Sequence, residues 1–333
     1  MSAARPPVVD PSGDSRPADW SRKPERSNML ALRVICWIAL KCGRRVARLV
    51  LHPISVYFLL FSPAARRNIK RYLRRAIGPK AGWRDGYRLL YAFASTVLDR
   101  VYFLRGRWDL FDVTITGNVP VEAEALAGRG AFLLGAHMGS FEALGACKHR
   151  SPDAPRLRAA MLMFPDNARQ ITAILNAISL PEMRPHVIAL GRAHSMLDLR
   201  DWLDTGGMAG LLADRTLPGA DSDPGVQRGN NLSIPFLGKP AIFNDGPFRL
   251  AVLLRRQVYF MSGLYLGGAR YDVQFEPLAD FSARITDPAE RERRILEAVE
   301  TYVARLEELC RKYPYNWFNF FDFWHDLSPA KAT

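Results

Sequence analysis

From residue 62 onward, short apolar runs alternate with longer amphipathic stretches. Runs rich in Val, Ile, Leu, Phe and Ala predict buried strands, whereas apolar residues three or four positions apart predict helices. The predicted strands are Asp112–Thr116, Ala131–Gly135, Ala159–Phe164, His186–Ala189, Met208–Ala213, Val258–Ser262 and Tyr271–Phe275. The predicted helices are Ala64–Ala76, Trp83–Leu104, Ala168–Ile178, Ala193–Leu203, Gly246–Leu254 and Ala289–Lys312. This alternation predicts an α/β domain at residues 106–325, with a mostly parallel sheet flanked by helices and a short tail at 326–333.

The N-terminal part of the chain follows a different pattern. Residues 1–27 are rich in Pro, Ser, Arg and Asp and contain no apolar run followed by a small-residue cleavage site, so we expect a disordered tail and not a signal peptide. Residues 28–105 hold two long apolar runs, which Arg33, Arg48 and Pro53 interrupt. A membrane-spanning helix needs about 20 apolar residues with few charges. The interruptions therefore favour a monotopic, amphipathic helical hairpin on the membrane surface over a span.

The basic residues are concentrated in the same region. The formal net charge is +13, and ten Lys and Arg residues but no acidic residue lie between Lys41 and Ala76. These ten are Lys41, Arg44, Arg45, Arg48, Arg66, Arg67, Lys70, Arg71, Arg74 and Arg75. Nucleic acid is the first polyanion to consider, but the sequence has no zinc-finger spacing, basic zipper or glycine–aromatic recognition run. Because the apolar runs Met29–Leu40 and Leu49–Phe61 accompany the charges, we expect an anionic membrane surface as partner, and no nucleic acid.

Cysteine and histidine positions bear on metal binding. The four cysteines lie far apart without the paired spacing of a metal site, and no His-x-x-x-His or Cys-x-x-Cys pair is present. We therefore expect reduced cysteines in a cytosolic setting, and neither a metal ion nor another cofactor.

His137 and Glu142 form the clearest candidate for chemistry. Both lie in the segment Gly135–Glu142, which follows the predicted strand Ala131–Gly135 and precedes a predicted helix. Five positions apart on a regular helix, the two side chains would point about 140° away from each other, so they can meet only if His137 lies in the turn before the helix. An imidazole held by a carboxylate can accept a proton from an attacking hydroxyl group, which is general-base chemistry. The alternative is a structural histidine at the end of a strand.

Asp214 follows the predicted strand Met208–Ala213 directly. In parallel sheets, sites form where the strands end at their carboxyl termini, which is also where His137 lies. The sequence therefore predicts a site at one edge of the sheet.

Four blocks in a fixed order resemble those of the lysophospholipid acyltransferase superfamily. They are His137-x4-Glu142, then Met161–Phe164 running into Asp166–Arg169, then Leu212–Arg215, and finally Ile234–Ala241 with Gly246–Arg249. The pattern is most similar to the lipid A biosynthesis (lauroyl/myristoyl) acyltransferases and to a related branch associated with aryl-polyene lipids. Two differences argue against lipid A itself as acceptor. The aromatic segment Tyr315–His325 has a histidine but no arginine, and Phe164 stands where the lipid A enzymes tend to have arginine.

The resemblance implies a mechanism. His137 would deprotonate an acceptor hydroxyl that attacks an acyl thioester directly, while Glu142 would orient the imidazole and stabilise its cation. We expect removal of either side chain to abolish transfer, with the glutamate change the milder. No acyl-enzyme is expected. The oxyanion would bind to backbone amides after His137 or to an arginine, for which Arg169 and Arg215 are candidates; their alternative role is a structural ion pair with Asp166 or Asp214.

The remaining candidates for substrate contact are Asn167, Asp214 and the turn that contains Pro235, Phe236 and Gly238. By resemblance, this turn would be a loop, with an Ile-Pro-Phe turn that can adopt a cis peptide bond, lining the acceptor or acyl channel. An ordinary turn before a helix is the alternative. The aromatic cluster Tyr313–Trp324 also has two possible roles, a lipid-facing belt or core packing.

The expected function is transfer of a fatty acyl chain to a hydroxyl of a lipid or glycolipid acceptor at the cytoplasmic face of the bacterial inner membrane. The donor would be acyl carrier protein or coenzyme A. Acyl carrier protein is favoured because it presents an acidic helix to a chain with a pI near 9.9. A thioesterase or lipid hydrolase and a noncatalytic membrane scaffold remain alternatives.

Overall fold

The computed structural model describes residues 26–148, 157–163, 179–184, 186–191, 194–215 and 231–324. The strands are β1 (Asp112–Thr116), β2 (Phe132–Gly135), β3 (Ala159–Met163), β4 (His186–Ala189), β5 (Met208–Leu212), β6 (Asn231–Phe236), β7 (Lys239–Asn244), β8 (Gln257–Gly267) and β9 (Arg270–Asp280). The helices are α1 (Arg26–Phe61), α2 (Pro63–Ala76), α3 (Trp83–Phe103), α4 (Asn118–Leu126), α5 (Ser195–Asp204), α6 (Gly246–Leu254) and α7 (Pro288–Lys312).

A seven-stranded sheet forms the centre of the domain, with strand order β1-β9-β8-β2-β5-β3-β4. Neighbouring strands are parallel except for the pair β8–β9, which is antiparallel. The predicted α/β fold with a mostly parallel sheet flanked by helices is therefore confirmed. β8 and β9 are each 11 residues long and extend beyond the predicted runs, because they pair along their whole length in one hairpin.

The central strand β2 is buried on both sides. Phe132 and Leu134 contribute to one hydrophobic core and Leu133 to a second one, as expected for side chains that alternate across a sheet. All four residues of β2 are buried, which explains a continuous apolar run where a half-exposed strand would alternate.

Two local predictions differ from the structure, and one helix was not predicted. The segment after β2 is a 3₁₀ helix, Phe141–Lys148, and not an α-helix. The predicted loop Ile234–Ala241 is wrong, because β6 and β7 form a separate antiparallel hairpin. Its two turn residues, Leu237 and Gly238, have φ of 50° and 78°, which suits a tight hairpin turn. Helix α4 was not predicted, and the predicted helix Ala168–Ile178 lies outside the described residues.

The N-terminal helices are attached to the domain by two arginines. Backbone angles at Gly43 (φ 83°, ψ 168°) break α1 into two helical parts. Just beyond this break, Arg44 donates two hydrogen bonds, of 2.7 and 2.8 Å, to the buried carboxylate of Asp99 on α3. Arg48 donates to Gly268 O at 2.9 Å and to Tyr265 Oη at 2.9 Å, on the β8–β9 hairpin. Arg44 and Arg48 are thus tied into the protein body. On α2, Arg71 is ion-paired with Asp322, and Arg75 lies over the ring of Trp324.

Among the described residues, α1 and its neighbours contain no single helix of sufficient length and apolar character to cross a membrane. One bent pair, Trp37–Phe61 with Pro63–Ala76, satisfies length and composition together, and its two helices meet at an angle of 95°.

Candidate active site

The site forms where β2 and β5 end. These strands are parallel neighbours with Gly135 opposite Leu212, so the residues two positions further on, His137 and Asp214, also come to lie opposite each other. His137 Nδ1 is 2.7 Å from Asp214 Oδ1, and the His137 backbone N–H donates to Asp214 Oδ2 at 3.0 Å. The two residues are therefore joined through both backbone and side chain, although they are 77 positions apart.

Asp214 is buried, with 1 % of its surface exposed. Burial raises the pKa of its carboxyl group, but the charge and hydrogen bond of His137, the charge of Arg215 and the hydrogen bond from Trp317 outweigh burial and lower the pKa to about 2. Asp214 is therefore ionised at neutral pH and can stabilise a positively charged imidazole beside it.

The imidazole of His137 is partly accessible, with 30 % of its side chain exposed. Its Nδ1 is engaged by Asp214, which leaves Nε2 as the nitrogen that can accept a proton from a substrate. A buried carboxylate, an oriented imidazole and access to solvent are the elements of a general base.

Glu142 does not take the position predicted for it. In the described part of the chain, His137 and Glu142 are not hydrogen-bonded to each other. Glu142 instead forms an ion pair with Arg100 on α3, with Nε to Oε1 at 2.8 Å, and accepts a hydrogen bond from Ser140 Oγ at 3.1 Å. The 3₁₀ helix directs Glu142 towards α3. The carboxylate that contacts the imidazole is that of Asp214, at the end of β5.

The backbone amides after His137 are also occupied. Those of Met138, Gly139 and Ser140 donate to Ala136 O, Asn316 O and Gly263 O, at 2.6, 2.9 and 2.7 Å respectively. The backbone at Gly139 lies so close to β8 that a Cβ atom at this position would be 1.9 Å from Gly263 O. Each of these three N–H groups already has a backbone acceptor, which favours an arginine over the amides as the donor to an oxyanion.

Arg215 is the described cation nearest to the pair in sequence. Its guanidinium donates to Phe318 O at 3.4 Å and lies over the ring of Phe321 at 5.0 Å. Its attraction also contributes to the low pKa of Asp214. A cation held in this way, beside the pair, can stabilise negative charge on a bound substrate. Asn167 and Arg169 lie outside the described residues.

The β6–β7 hairpin contacts the site only indirectly. Phe236 is fully buried and packs against Trp317, with ring centroids 5.4 Å apart, so it belongs to the core and does not line a channel. Gly238 is exposed at the turn, and Pro235 lines a shallow groove beside Glu307 of α7. Within the described ranges, none of these three residues forms a hydrogen bond or a ring contact with His137.

An apolar cavity of about 220 Å³ lies beneath the 3₁₀ helix that carries Glu142. It is open at one side, and Glu142, Arg158 and Arg184 contribute polar groups to its wall. The apolar lining includes Phe103, Leu133, Leu144, Met161, Trp202 and Met208. The sequence analysis did not predict this cavity, since its lining comes from elements that are distant along the chain.

The C-terminal segment Asn316–Trp324 covers the site. Phe318 N–H donates to His137 O at 2.7 Å, and Trp317 Nε1 donates to Asp214 Oδ2 at 2.9 Å. Trp317 is 0 % exposed and Trp324 is 6 % exposed. The structure therefore supports core packing, and not a lipid-facing belt, for these two side chains. The sequence analysis did not predict the contact between Trp317 and Asp214. A buried indole needs an acceptor for its N–H, and this requirement was the feature of the sequence that could have suggested such a contact.

No group of three or more His, Cys, Asp or Glu side chains within the described ranges could hold a metal ion. Comparison of the sequence with models of known protein families gives no match, and a comparison with curated proteins also finds none.

Proposed function

We propose that the protein is a membrane-associated acyltransferase that moves a fatty acyl chain from a thioester donor to a hydroxyl group of a lipid or glycolipid. The observation that carries this proposal is the pair of His137 and buried Asp214 at the end of two parallel strands. Glu142, five residues after His137, helps to line an apolar cavity. The resemblance of the four sequence blocks to the lysophospholipid acyltransferase superfamily supports the same reaction.

In this reaction the acceptor hydroxyl attacks the thioester carbonyl carbon while Nε2 of His137 takes the hydroxyl proton. The carbon–sulfur bond then breaks, and the imidazolium returns the proton to the leaving thiolate. Asp214 stabilises the imidazolium in between. Since the amides after His137 already have acceptors, the oxyanion is stabilised by a side chain, for which Arg215 is the described candidate.

The apolar cavity suits the acyl chain. Its lining is mainly aliphatic, aromatic and sulfur-containing, and burying methylene groups there is favourable by about 0.8 kcal/mol each. Glu142 lies in the wall of this cavity and is ion-paired with Arg100, so in this proposal Glu142 acts on the donor's position and not on the imidazole.

The second part of α1 offers an apolar surface to a membrane. Its exposed apolar stripe consists of Val46, Leu49, Val56, Tyr57 and Leu60, which lie within about 100° of each other around the helix axis. Leu49 is 67 % exposed and Tyr57 57 %. Side chains of this size on one helix face mark an interaction surface.

Helix α2, which follows α1 directly, carries a charged face. Its buried face consists of Ile69, Tyr72, Leu73 and Ala76. The opposite face carries the basic stripe, Arg67, Lys70 and Arg74, which are all exposed. An apolar stripe and a basic stripe on consecutive helices fit the interface of an anionic lipid leaflet. These two stripes support the proposal that the protein binds the cytoplasmic face of the bacterial inner membrane. Acyl carrier protein remains the donor that we favour over coenzyme A.

The test is a transfer assay with the purified full-length protein, a radiolabelled acyl thioester and a bacterial lipid extract. We expect an acylated lipid from the wild type and at least about a hundredfold lower turnover from His137→Ala. His194→Ala is the matched control, because His194 is exposed at the start of α5.

Free fatty acid without an acylated lipid would instead establish a thioesterase or hydrolase. Absence of both products with every donor tried would favour the scaffold alternative. A His137→Ala protein with normal circular dichroism and more than about a tenth of wild-type turnover would contradict the assignment of the base.

A further inference from the structure

Trp317 is completely buried, yet its indole N–H contacts a charged group. Trp317 Nε1 donates to Asp214 Oδ2 at 2.9 Å, across 103 positions of sequence. A buried tryptophan needs some acceptor, and a backbone carbonyl would satisfy the indole N–H. Here the acceptor is the carboxylate that holds the imidazole of His137, so the contact belongs to the site and not only to the core.

The hydrogen bonds to the Asp214 carboxylate come from two separate segments of the chain. Two come from His137, its backbone N–H to Oδ2 at 3.0 Å and its Nδ1 to Oδ1 at 2.7 Å. The third comes from Trp317 and shares Oδ2 with the backbone N–H. With Oδ2 held by donors from two separate segments, the carboxylate cannot rotate freely about its Cβ–Cγ bond, and Oδ1 stays directed at the imidazole.

The indole itself is fixed by its neighbours. Its ring lies 4.9 Å from that of Tyr72 on α2, 5.4 Å from that of Phe236 on β6, and 5.0 Å from that of Phe323. The backbone of Trp317 also forms an antiparallel bridge with Met138, the residue after the candidate base. A side chain packed by three elements holds its N–H in one place.

We propose that Trp317 is a positioning residue, which fixes the orientation of the Asp214 carboxylate and thereby holds the imidazole of His137 in place. The proposal rests on the proposed function for its catalytic consequence, while the contact can be tested without any substrate. Trp317 is not itself a catalytic residue, since its ring is buried and does not reach a substrate.

Other charged or titratable groups around Asp214 are few in the described ranges. Arg215 follows it in sequence, and Tyr302 and Cys310 of α7 interact with it electrostatically. Burial raises the pKa of both the Tyr302 hydroxyl and the Cys310 thiol well above their ordinary values, so both groups stay neutral. Arg215 keeps its charge in every variant below, so it does not obscure the comparison.

The experiment compares Trp317→Phe with Trp324→Phe. Each variant removes one indole N–H and keeps an aromatic ring in a buried site, but Trp324 Nε1 donates to Phe236 O, away from Asp214. For Trp317→Phe we expect kcat to fall by about tenfold to a hundredfold at unchanged KM, as for loss of a hydrogen bond to a charged group. Trp324→Phe should keep near wild-type kcat. In an Asp214→Asn background, Trp317→Phe should change kcat by less than about twofold, because its effect passes through Asp214.

The second measurement needs no activity. The ring nitrogens of His137, identified by comparison with His137→Ala, are observed by NMR at one fixed pH in ¹⁵N-histidine-labelled protein. Without the indole donor, the Asp214 carboxylate can rotate, so the hydrogen bond between Nδ1 and Oδ1 should weaken and the Nδ1 signal should shift in Trp317→Phe and not in Trp324→Phe. Equal Nδ1 signals in both variants would overturn the proposal. A shifted Nδ1 signal in Trp317→Phe, together with a wild-type protein that transfers no acyl group, would retain Trp317 as positioning residue and reject acyl transfer.

Discussion

Asp214 and Glu142 differ in what they contact, and this difference separates their roles. Asp214 contacts the imidazole of His137, whereas Glu142 contacts Arg100 and the apolar cavity. We expect Asp214→Asn to lower kcat by about 10²- to 10⁴-fold, because an amide can neither stabilise the imidazolium nor hold the correct tautomer. Glu142→Gln should keep kcat within about tenfold of wild type and raise KM for the acyl donor. Steady-state kinetics with one donor check both, and equal loss of kcat in the two variants would contradict the structure.

The low pKa of Asp214 also affects stability at acid pH. A carboxyl group with a folded-state pKa of about 2 and an ordinary value of 3.8 stabilises the fold above pH 3.8, and this contribution is lost as the pH falls towards 2. Its size is about 2 kcal/mol. The difference in unfolding free energy between wild type and Asp214→Asn should therefore shrink from pH 5 to pH 2. Urea titrations across this range test it, and a constant difference would show that the ionised carboxylate does not stabilise the fold.

At the scale of elements, α1 is attached to the domain by the ion pair of Arg44 with Asp99. Asp99 is fully buried, and its other partner is the hydroxyl of Tyr271 at 2.8 Å. We expect Arg44→Met to destabilise the protein by about 3–5 kcal/mol, since it leaves a buried carboxylate without its cation. Arg45→Met, at the exposed neighbouring position, is the matched control. Thermal unfolding measures the difference; similar melting temperatures for both variants would exclude a structural role for Arg44.

We expect the two faces of α2 to have separate roles. Reversing the charge of the basic stripe, as Arg67→Glu, Lys70→Glu and Arg74→Glu together, should greatly weaken binding to vesicles of phosphatidylglycerol and phosphatidylcholine at low salt. Each basic residue near an anionic surface contributes about 1 kcal/mol. The melting temperature should not change, because the buried face is intact. The control reverses three exposed basic residues outside α1 and α2, namely Lys239, Arg255 and Arg284. Equal weakening in both triple variants would assign the effect to net charge alone.

For the whole molecule, we propose that net charge governs the encounter with the acyl donor. A chain with a formal net charge of +13 attracts an acidic carrier protein over long distances, and salt screens this attraction. We expect kcat/KM for the acyl carrier protein thioester to exceed that for the coenzyme A thioester of the same chain and to fall more steeply with ionic strength. Both donors are compared at low and physiological salt. A higher kcat/KM with coenzyme A under both conditions would reverse the donor assignment.

The strand and helix pattern was predictable because it is local. The apolar run before Gly135 and the amphipathic run Ala289–Lys312 determine their own elements through burial and periodicity, and both are present. The position of His137 at a strand end followed from the same local pattern. The β6–β7 hairpin was missed because its turn depends on Leu237 adopting a positive φ, which its buried side chain and a 2.6 Å hydrogen bond to Glu307 stabilise from α7.

The sequence by itself thus determined the α/β pattern and the candidate base, His137, since short-range periodicity suffices for both. Only the tertiary structure decided which carboxylate contacts that base, because strand order places β5 beside β2 and brings Asp214 to the imidazole from 77 positions away. The C-terminal segment reached the site in the same manner, with Trp317 on Asp214. The tertiary structure also turned Arg44 and Arg48 inward, away from a charged surface. Long-range pairing is set by packing of the whole chain, which no local pattern encodes.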